Sequence, residues 1–381
     1  MVRNSKFVGR QEEIESLRNW SATPNESRIT VIYGRRRIGK TRLVEEAYQG
    51  FKLLRFEGLE GKGTAEQKRH FVKTFHRYSK SNKHDSSLLS DWEDLLILLS
   101  KHIGKRPCVL FFDEFQWMAA GRTDLVSKLK FVWDNYFSKR NRVHLVLCGS
   151  VSSFLMKKVV HSKALYGRVD EVIRLGQLSL GEVRRGFFQK RTLQEALEYY
   201  LVVGGIPQYL QLYNQSQSVG LNLQRICFRP AGYLFDEFSR IFVSHFGKTP
   251  HFQRSVEFLA KSGFGNRDQI MKHLDINSGG RLSTFLDDLE LSGFIEAYTP
   301  CDNPESTHLR RYRIADPYLR FYFRFIAPMR RKVLKTPGGV PLHLALPVRK
   351  YETWRGLAFE FFCYQHAPLI ADKLKFSAVS Y

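Results

Sequence analysis

Gly34-Arg35-Arg36-Arg37-Ile38-Gly39-Lys40-Thr41 sets two glycines, a lysine and a hydroxyl within eight residues. Glycines let a backbone curl round an anion with its N–H groups turned inward. A helix that begins at Lys40 directs the positive end of its dipole at the same anion. The lysine adds a mobile cation, and the threonine hydroxyl adds a hard oxygen donor for a small divalent metal. The spacing is that of a loop that cradles the β- and γ-phosphates of a nucleoside triphosphate, with the hydroxyl on Mg²⁺. ATP and Mg²⁺ are therefore the expected ligands, held by Gly34, Arg35, Arg36, Arg37, Ile38, Gly39, Lys40, Thr41 and Arg42. Lys40 bridges the β- and γ-phosphates in this reading, and the three arginines carry no specific catalytic role.

A phosphate-binding loop of this kind needs a carboxylate at the end of a neighbouring strand to position the metal. The run Cys108-Val-Leu-Phe-Phe-Asp113-Glu114 supplies it. Asp113 is the expected metal-positioning residue, and Glu114 is placed to act as the base that activates water. The adjacent pair favours hydrolysis over transfer to another substrate. Ser150 closes a third apolar run, Leu145-Val-Leu-Cys-Gly-Ser150. Its side chain either contacts the γ-phosphate or the attacking water, or is a plain turn residue. Arg168, in Tyr166-Gly167-Arg168, is either a γ-phosphate ligand in cis, a finger reaching in trans across an oligomer interface, or a surface arginine.

These residues need a parallel sheet to hold them. Residues 29–33, 107–112 and 143–148 are short apolar runs that end at the motifs. Residues 51–56 and 171–175 are weaker strand candidates, and helical periodicity fills the gaps, as at 89–103 and 124–137. Short buried strands alternating with helices predict a parallel α/β core. Beyond residue 180 the strand signal fades. Residues 181–245 read as helical, broken at Gly204-Gly205-Ile206-Pro207. Helices at 251–262, 267–274 and 281–292 are then followed by strand candidates 294–299 and 309–314 across a polar loop at 300–308. Three helices closed by a two-stranded wing predict a winged helix-turn-helix. A Pro- and Gly-rich linker at 336–348 precedes a last helix at 350–366.

The chain has 381 residues, of which 43% are hydrophobic, enough for more than one core. Its 60 basic against 37 acidic residues leave a net charge of +23. Such a surplus points to a polyanionic partner, of which nucleic acid is the commonest. Five dispersed cysteines with no CxxC pair argue for free thiols in a reducing compartment rather than a zinc site or disulfides. The first residues, MVRNSKFVGRQEE, lack the apolar stretch of a secretory signal. No apolar run is long enough to span a bilayer. A cytoplasmic protein with no membrane segment is expected.

Phe7-Val8-Gly9-Arg10-Gln11-Glu12-Glu13, GRRRIGKT at 34–41, FFDEFQW at 111–117, LCGS at 147–150, LYGR at 165–168 and GGIPQYL at 204–210 occur in that order. Together they resemble an archaeal-type family of prokaryotic P-loop ATPases related to the AAA+ and STAND groups. The resemblance implies a P-loop NTPase core over 1–178, a helical lid over 179–247 and a winged helix with a basic aromatic extension over 248–334. It further implies a linker and the start of a restriction-endonuclease-like domain over 335–381. It implies that Val8 and Arg10 flank the adenine and that Pro207 belongs to a nucleotide-sensing element of the lid. The segment Trp354–Phe362 resembles the opening helix of the nuclease-like domain, but the sequence stops at Tyr381, before the strands such a nuclease needs. A truncated or split product is the expectation, and no nuclease role is assigned.

Residues 309–335 hold nine arginines and lysines against a single acid, Asp316, with six aromatic residues interleaved. The aromatics are expected in a core, and the arginines are candidates for sequence-tolerant phosphate binding. In the predicted recognition helix, Arg281, Ser283 and Thr284 face outward. Asp287, Asp288 and Glu290 follow, which argues against deep major-groove binding. The sequence thus supports an ATP-hydrolysing switch. Two alternatives stay open: a DNA-binding regulator that uses ATP as a structural ligand, and a scaffold that acts through a protein partner or a homo-oligomer.

Overall fold

The computed structural model describes residues 7–20, 26–79, 91–104, 106–120, 124–139, 142–150, 152–246, 250–276, 279–299 and 309–376. The polar loop at 300–308 and the side chain of Arg281, both singled out from sequence, lie outside these. The chain divides into two compact units, Met1–Gly176 and Gln177–Tyr381.

The first unit is built on five strands: β1 (Arg28–Tyr33), β2 (Lys52–Glu57), β3 (Cys108–Asp113), β4 (Val143–Gly149) and β5 (Glu171–Arg174). They pair in the order β2-β3-β4-β1-β5, every pair parallel. β3 and β4 are buried at every position, and β1 at all but its first. That explains why they read as continuous apolar runs, whereas β2 and β5, at the two edges, gave weaker signals. Around the sheet lie α1 (Gln11–Asn19), α2 (Lys40–Ala47), α3 (Thr64–Ser79) and α4 (Trp92–Ile103). Because all strands run the same way, the residues that follow β1, β3 and β4 emerge at one edge of the sheet. In open α/β sheets this carboxyl edge is where ligands bind.

The second unit is helical up to Phe246 and then carries the helices Pro250–Ser262, Arg267–Leu274 and Gly279–Leu291. A small antiparallel sheet joins β6 (Gly265–Asn266), which lies between the first two of these helices, to β7 (Ile295–Tyr298) and β8 (Arg311–Ile314) in the order β6-β8-β7. The third helix buries Leu282, Phe285, Leu286 and Leu289 and exposes Thr284 and Asp287. Of the aromatics interleaved with arginine, Tyr312, Tyr318, Phe321, Tyr322 and Phe325 are buried, as a core role requires. The Gly204-Gly205 break has a packing cause. The Gln177 side chain accepts the Gly205 N–H at 2.8 Å, and a Cβ at Gly205 would lie 1.9 Å from the Leu178 carbonyl oxygen. Pro207 then opens the short helix Pro207–Leu210, where its missing N–H costs nothing.

One buried imidazole ties the sheet to its helices. His144 on β4 meets the Thr30 hydroxyl of β1 at 2.8 Å through Nε2 and the Tyr48 hydroxyl at 2.7 Å through Nδ1. Tyr48 either accepts the Nδ1–H and donates to the Leu17 carbonyl of α1, or donates its proton to a bare Nδ1, according to the tautomer. Burial, with Arg28 adding repulsion, pushes His144 down to about 3. The folded chain therefore keeps His144 neutral while the unfolded chain takes up a proton below its ordinary value near 6.5. Stability on this account falls by about 1.4 kcal/mol per pH unit as pH drops through that window. Urea midpoints measured from pH 7 to pH 5 are expected to decline less, by one proton's worth, in His144→Gln than in the parent; equal slopes would rule the linkage out.

Candidate nucleotide and metal site

The loop between β1 and α2 is fixed at both ends. Gly34 has φ 155°, and a Cβ there would lie 2.5 Å from the Leu175 carbonyl oxygen, so the exit from β1 requires glycine. Leu175 in turn donates its N–H to Tyr33 at 2.8 Å. Ile38 is buried beneath the loop. Lys40 is buried, and its Nζ donates to the carbonyls of Gly34 at 2.9 Å and Arg35 at 3.1 Å. The ammonium thus sits in the mouth of the loop, among groups that curl round it. Of the three arginines, Arg35 is buried, whereas Arg36 pairs with Glu60 at 2.8 Å. Arg42 is exposed and lies 3.7 Å from Glu45.

The carboxylates come to this loop from β3. Asp113 is the last residue of the strand and is 2% exposed. Its Oδ2 accepts the Thr41 hydroxyl at 2.9 Å, which joins the first turn of α2 to the end of β3. Its Oδ1 accepts the N–H of Glu114 at 3.1 Å. Burial raises Asp113 above the usual carboxylate range, although Arg55 and the Thr41 hydrogen bond oppose the rise. A hydroxyl and a carboxylate brought together are hard oxygen donors, the chemistry Mg²⁺ takes. Among the described residues no cluster of three or more His, Cys, Asp or Glu could hold a metal by itself.

Glu114 adopts a left-handed backbone, φ 48° and ψ 48°, at the sharp turn out of β3. For a non-glycine residue that conformation costs on the order of 1 kcal/mol. The turn brings its carboxylate to the end of β4. Oε2 accepts the Ser150 hydroxyl at 2.8 Å and the Ser150 N–H at 3.3 Å, and it also accepts from Gln116 Nε2. Burial pushes Glu114 up, but Lys40, Gln116, Ser150 and Arg36 outweigh it, so the carboxylate sits below its ordinary range and is ionised at neutral pH. Lys40, Thr41, Asp113, Glu114 and Ser150 therefore share one edge of the sheet, as the spacing predicts. Arg10 belongs to the same region. It has a left-handed backbone (φ 65°), and its guanidinium donates to the carbonyl of Gly176 just past β5 and pairs with Glu13 at 3.2 Å. Val8 is half-buried two residues before it. Pro207 lies in the second unit.

Of the three options open for Arg168, a γ-phosphate contact in cis does not fit the structure. Arg168 does not join the P-loop in this chain. Its guanidinium makes a two-pronged ion pair with Asp134, at 2.6 and 2.9 Å. Two residues on, the Asp170 carboxylate accepts the N–H of Ile29, near the start of β1. Arg168 therefore stands at the amino edge of the parallel sheet. β1 separates it from Gly34 by five residues, about 16 Å of extended chain. A γ-phosphate contact in cis is incompatible with that placement.

Two residues at the site were not read from the sequence. Gln116 follows the acidic pair and holds Glu114. Arg55 on β2 reaches Asp113 Oδ2 at 2.8 Å and also pairs with Glu45 at 3.2 Å and Glu57 at 3.1 Å. Only the pairing of β2 beside β3 brings Arg55 to Asp113, and edge strand β2 gave a weak signal. A basic residue in an alternating strand carries no local sign of such a role.

With this geometry in view, the comparisons with known proteins fall into place. A family model described as an ATPase domain predominantly from Archaea matches residues 7–212, more than half of the chain. The chain belongs to that family and is an ATPase. The uncharacterized protein MJECL04 of Methanocaldococcus jannaschii is 28% identical over 326 residues, covering 84% of this chain and 69% of that one. The uncharacterized ATP-binding protein MJ0423 of the same organism is 42% identical over 50 residues, 13% of this chain and 81% of its own length. Among solved structures, the Walker-type ATPase PABY2304 of Pyrococcus abyssi superposes with a TM-score of 0.57 at 17% identity, over 85% of this chain and 99% of that one. The ORC2 protein of Aeropyrum pernix, in ADPNP and ADP complexes, gives 0.54 at 12% identity, over 88% and 98%. At such identities the likeness is one of fold.

The Arg55–Asp113 pair yields a stability test. Removing the guanidinium leaves a buried carboxylate without its ion-pair partner, so Arg55→Ala is expected to cost about 2 kcal/mol, the partial exposure of Arg55 limiting the loss. Asp113→Asn should recover part of it. A double-mutant cycle in urea that finds less than about 0.5 kcal/mol of coupling would show that the pair is not felt.

Proposed function

We propose that this ATPase is a Mg²⁺-dependent switch that binds ATP on Gly34–Thr41 and hydrolyses it with Glu114 as the base. The observation that carries the reading is the junction of Thr41 with Asp113 Oδ2, with the Glu114 carboxylate held beside it by Ser150 and Gln116. On this reading the P-loop amides and Lys40 hold the β- and γ-phosphates. Thr41 and Asp113 would hold the metal, Asp113 through water. When bound, Mg²⁺ neutralises charge on the phosphates. Glu114, ionised and fixed in orientation, accepts the proton of the water that attacks the γ-phosphorus. Ser150 aims that carboxylate, so it acts as a positioning residue. Val8 and Arg10 are proposed to flank the adenine, supported by the seat of Arg10 against the carbonyl after β5.

The second unit is the proposed output. Pro207 belongs to a lid that responds to the nucleotide, and 248–334 is a winged helix with its basic aromatic extension, a reading supported by three helices followed by antiparallel β7 and β8. Its arginine-rich stretch suits nucleic acid, and a net charge of +23 favours a polyanionic partner. No helix among the described residues is long and apolar enough to cross a membrane. A cytoplasmic setting remains part of the proposal.

Lys40→Ala is expected to abolish binding of a fluorescent ATP analogue. Glu114→Gln is expected to keep binding within a few-fold while turnover falls by about a hundredfold or more. Wild-type turnover in Glu114→Gln would remove Glu114 as the base.

A further inference from the structure

The second unit carries a half-open pocket of about 460 Å³ that the ATPase site does not use. It lies among the helix Pro250–Ser262, β8, the helical stretch after Pro317 and the helix Val348–Gln365. Four cations line it: Lys261, Arg313, Arg320 and Arg324. Two of them share a single ring. Arg320 lies over Phe361 at 3.6 Å from the ring centroid, and Arg313 lies over the same ring at 4.6 Å. Rings offset only part of such charge.

The nearby carboxylates leave the site positive. Glu296 accepts from Arg313 Nε, and the Asp316 carboxylate accepts the Leu319 N–H at 2.8 Å. Arg320 Nε and Arg313 Nη2 are buried, and neither finds a hydrogen-bond partner among the described residues. Burial, reinforced by Arg313 and opposed by Asp316 and Glu296, lowers the Arg320 guanidinium to about 10. Lys261 and Arg324 are exposed and complete the cationic lining.

Two properties narrow the ligand. Four cations against two carboxylates match the charge of a phosphomonoester, about −2 at neutral pH. Arginine's planar fork suits phosphate oxygens. The remaining lining is apolar and aromatic, with Leu259, Phe323 and Trp354. Such walls do nothing for an inorganic ion but suit a flat organic body, and nucleobases stack on aromatic side chains. The volume lies within the range of small-molecule sites.

We propose that this cavity binds a nucleoside monophosphate unit, its phosphoryl group on Arg320, Arg324 and Lys261 and its base against Phe323 and Trp354. The unit is either a free nucleotide or the 5′-phosphorylated end of a nucleic-acid strand, since both present the same chemistry. The inference is independent of the P-loop reading.

Trp354 is a built-in reporter. Tryptophan emission of the full-length chain and of its Lys40→Ala variant would be titrated with four probes: AMP, inorganic phosphate, a 5′-phosphorylated single-stranded oligonucleotide and its 5′-hydroxyl twin. Saturable quenching is expected in both chains and is absent in Trp354→Phe. Replacing the exposed pair, Arg324→Ala with Lys261→Ala, should weaken it about tenfold or more. Quenching by AMP, at least tenfold tighter than by inorganic phosphate, assigns a free nucleotide. Quenching by the 5′-phosphorylated strand and not by its twin assigns a strand end. The proposal is overturned if neither AMP nor the phosphorylated strand quenches, if AMP binds no tighter than inorganic phosphate while the two strands do not differ, or if the double variant keeps full affinity.

Discussion

The buried carboxylate of Asp113 is the constraint on which the first unit turns. A carboxylate 2% exposed at the end of an apolar strand is unstable without partners. Thr41 comes to it from α2 and Arg55 from β2, one as a neutral donor and the other as a cation. These contacts tie the P-loop helix, the inner strand β3 and edge strand β2 to one oxygen atom. The same carboxylate is the one proposed to hold a divalent cation through water, so one group would serve both the fold and the chemistry. Arg55 already stands where positive charge is required, and burial still leaves Asp113 above its ordinary range.

The strand order makes this economy possible. β1 carries the P-loop and β3 carries the acids, with β4 between them. The end of β4 therefore falls between the phosphate loop and Asp113-Glu114, and Ser150 is the residue that occupies it. Glu114 accepts both the hydroxyl and the N–H of Ser150 across that gap. The left-handed turn at Glu114 is the local cost of aiming a carboxylate at β4 rather than into solvent. At the opposite edge, Asp170 caps the start of β1 and Arg168 locks onto Asp134, which gives the amino edge a structural task.

The central strands were legible because burial on both faces leaves nothing but apolar residues between the motifs, as in Val143–Gly149. The P-loop, Asp113 and Glu114 were legible because their chemistry is carried by close spacing along the chain. For Arg168 the sequence left three options open, and only its place at the amino edge of the sheet tells against a contact in cis. A short motif after β4 names a residue but not the edge of the sheet to which the chain has returned. Arg55 and Gln116 went unread because their roles arise from strand pairing and side-chain reach, which leave no period or spacing. The aromatics of residues 312–325 were read as core, and Tyr318 and Phe321 are fully buried. The arginines among them looked like an exposed phosphate-binding face, yet Arg320 is folded over Phe361 inside a cavity. Alternation of arginine with aromatic residues cannot separate a solvated stripe from a lined pocket.

The central claim is that the carboxyl edge of the sheet, gathered on Asp113, is where ATP and its metal are held. A structure of the chain with Mg²⁺ and a non-hydrolysable imido analogue of ATP tests it most directly. The account predicts the β- and γ-phosphates within hydrogen-bond reach of Lys40 Nζ and the loop amides, the metal on the Thr41 hydroxyl, and Asp113 one water away. A nucleotide bound elsewhere, or a metal with no link to Thr41 and Asp113, would contradict it.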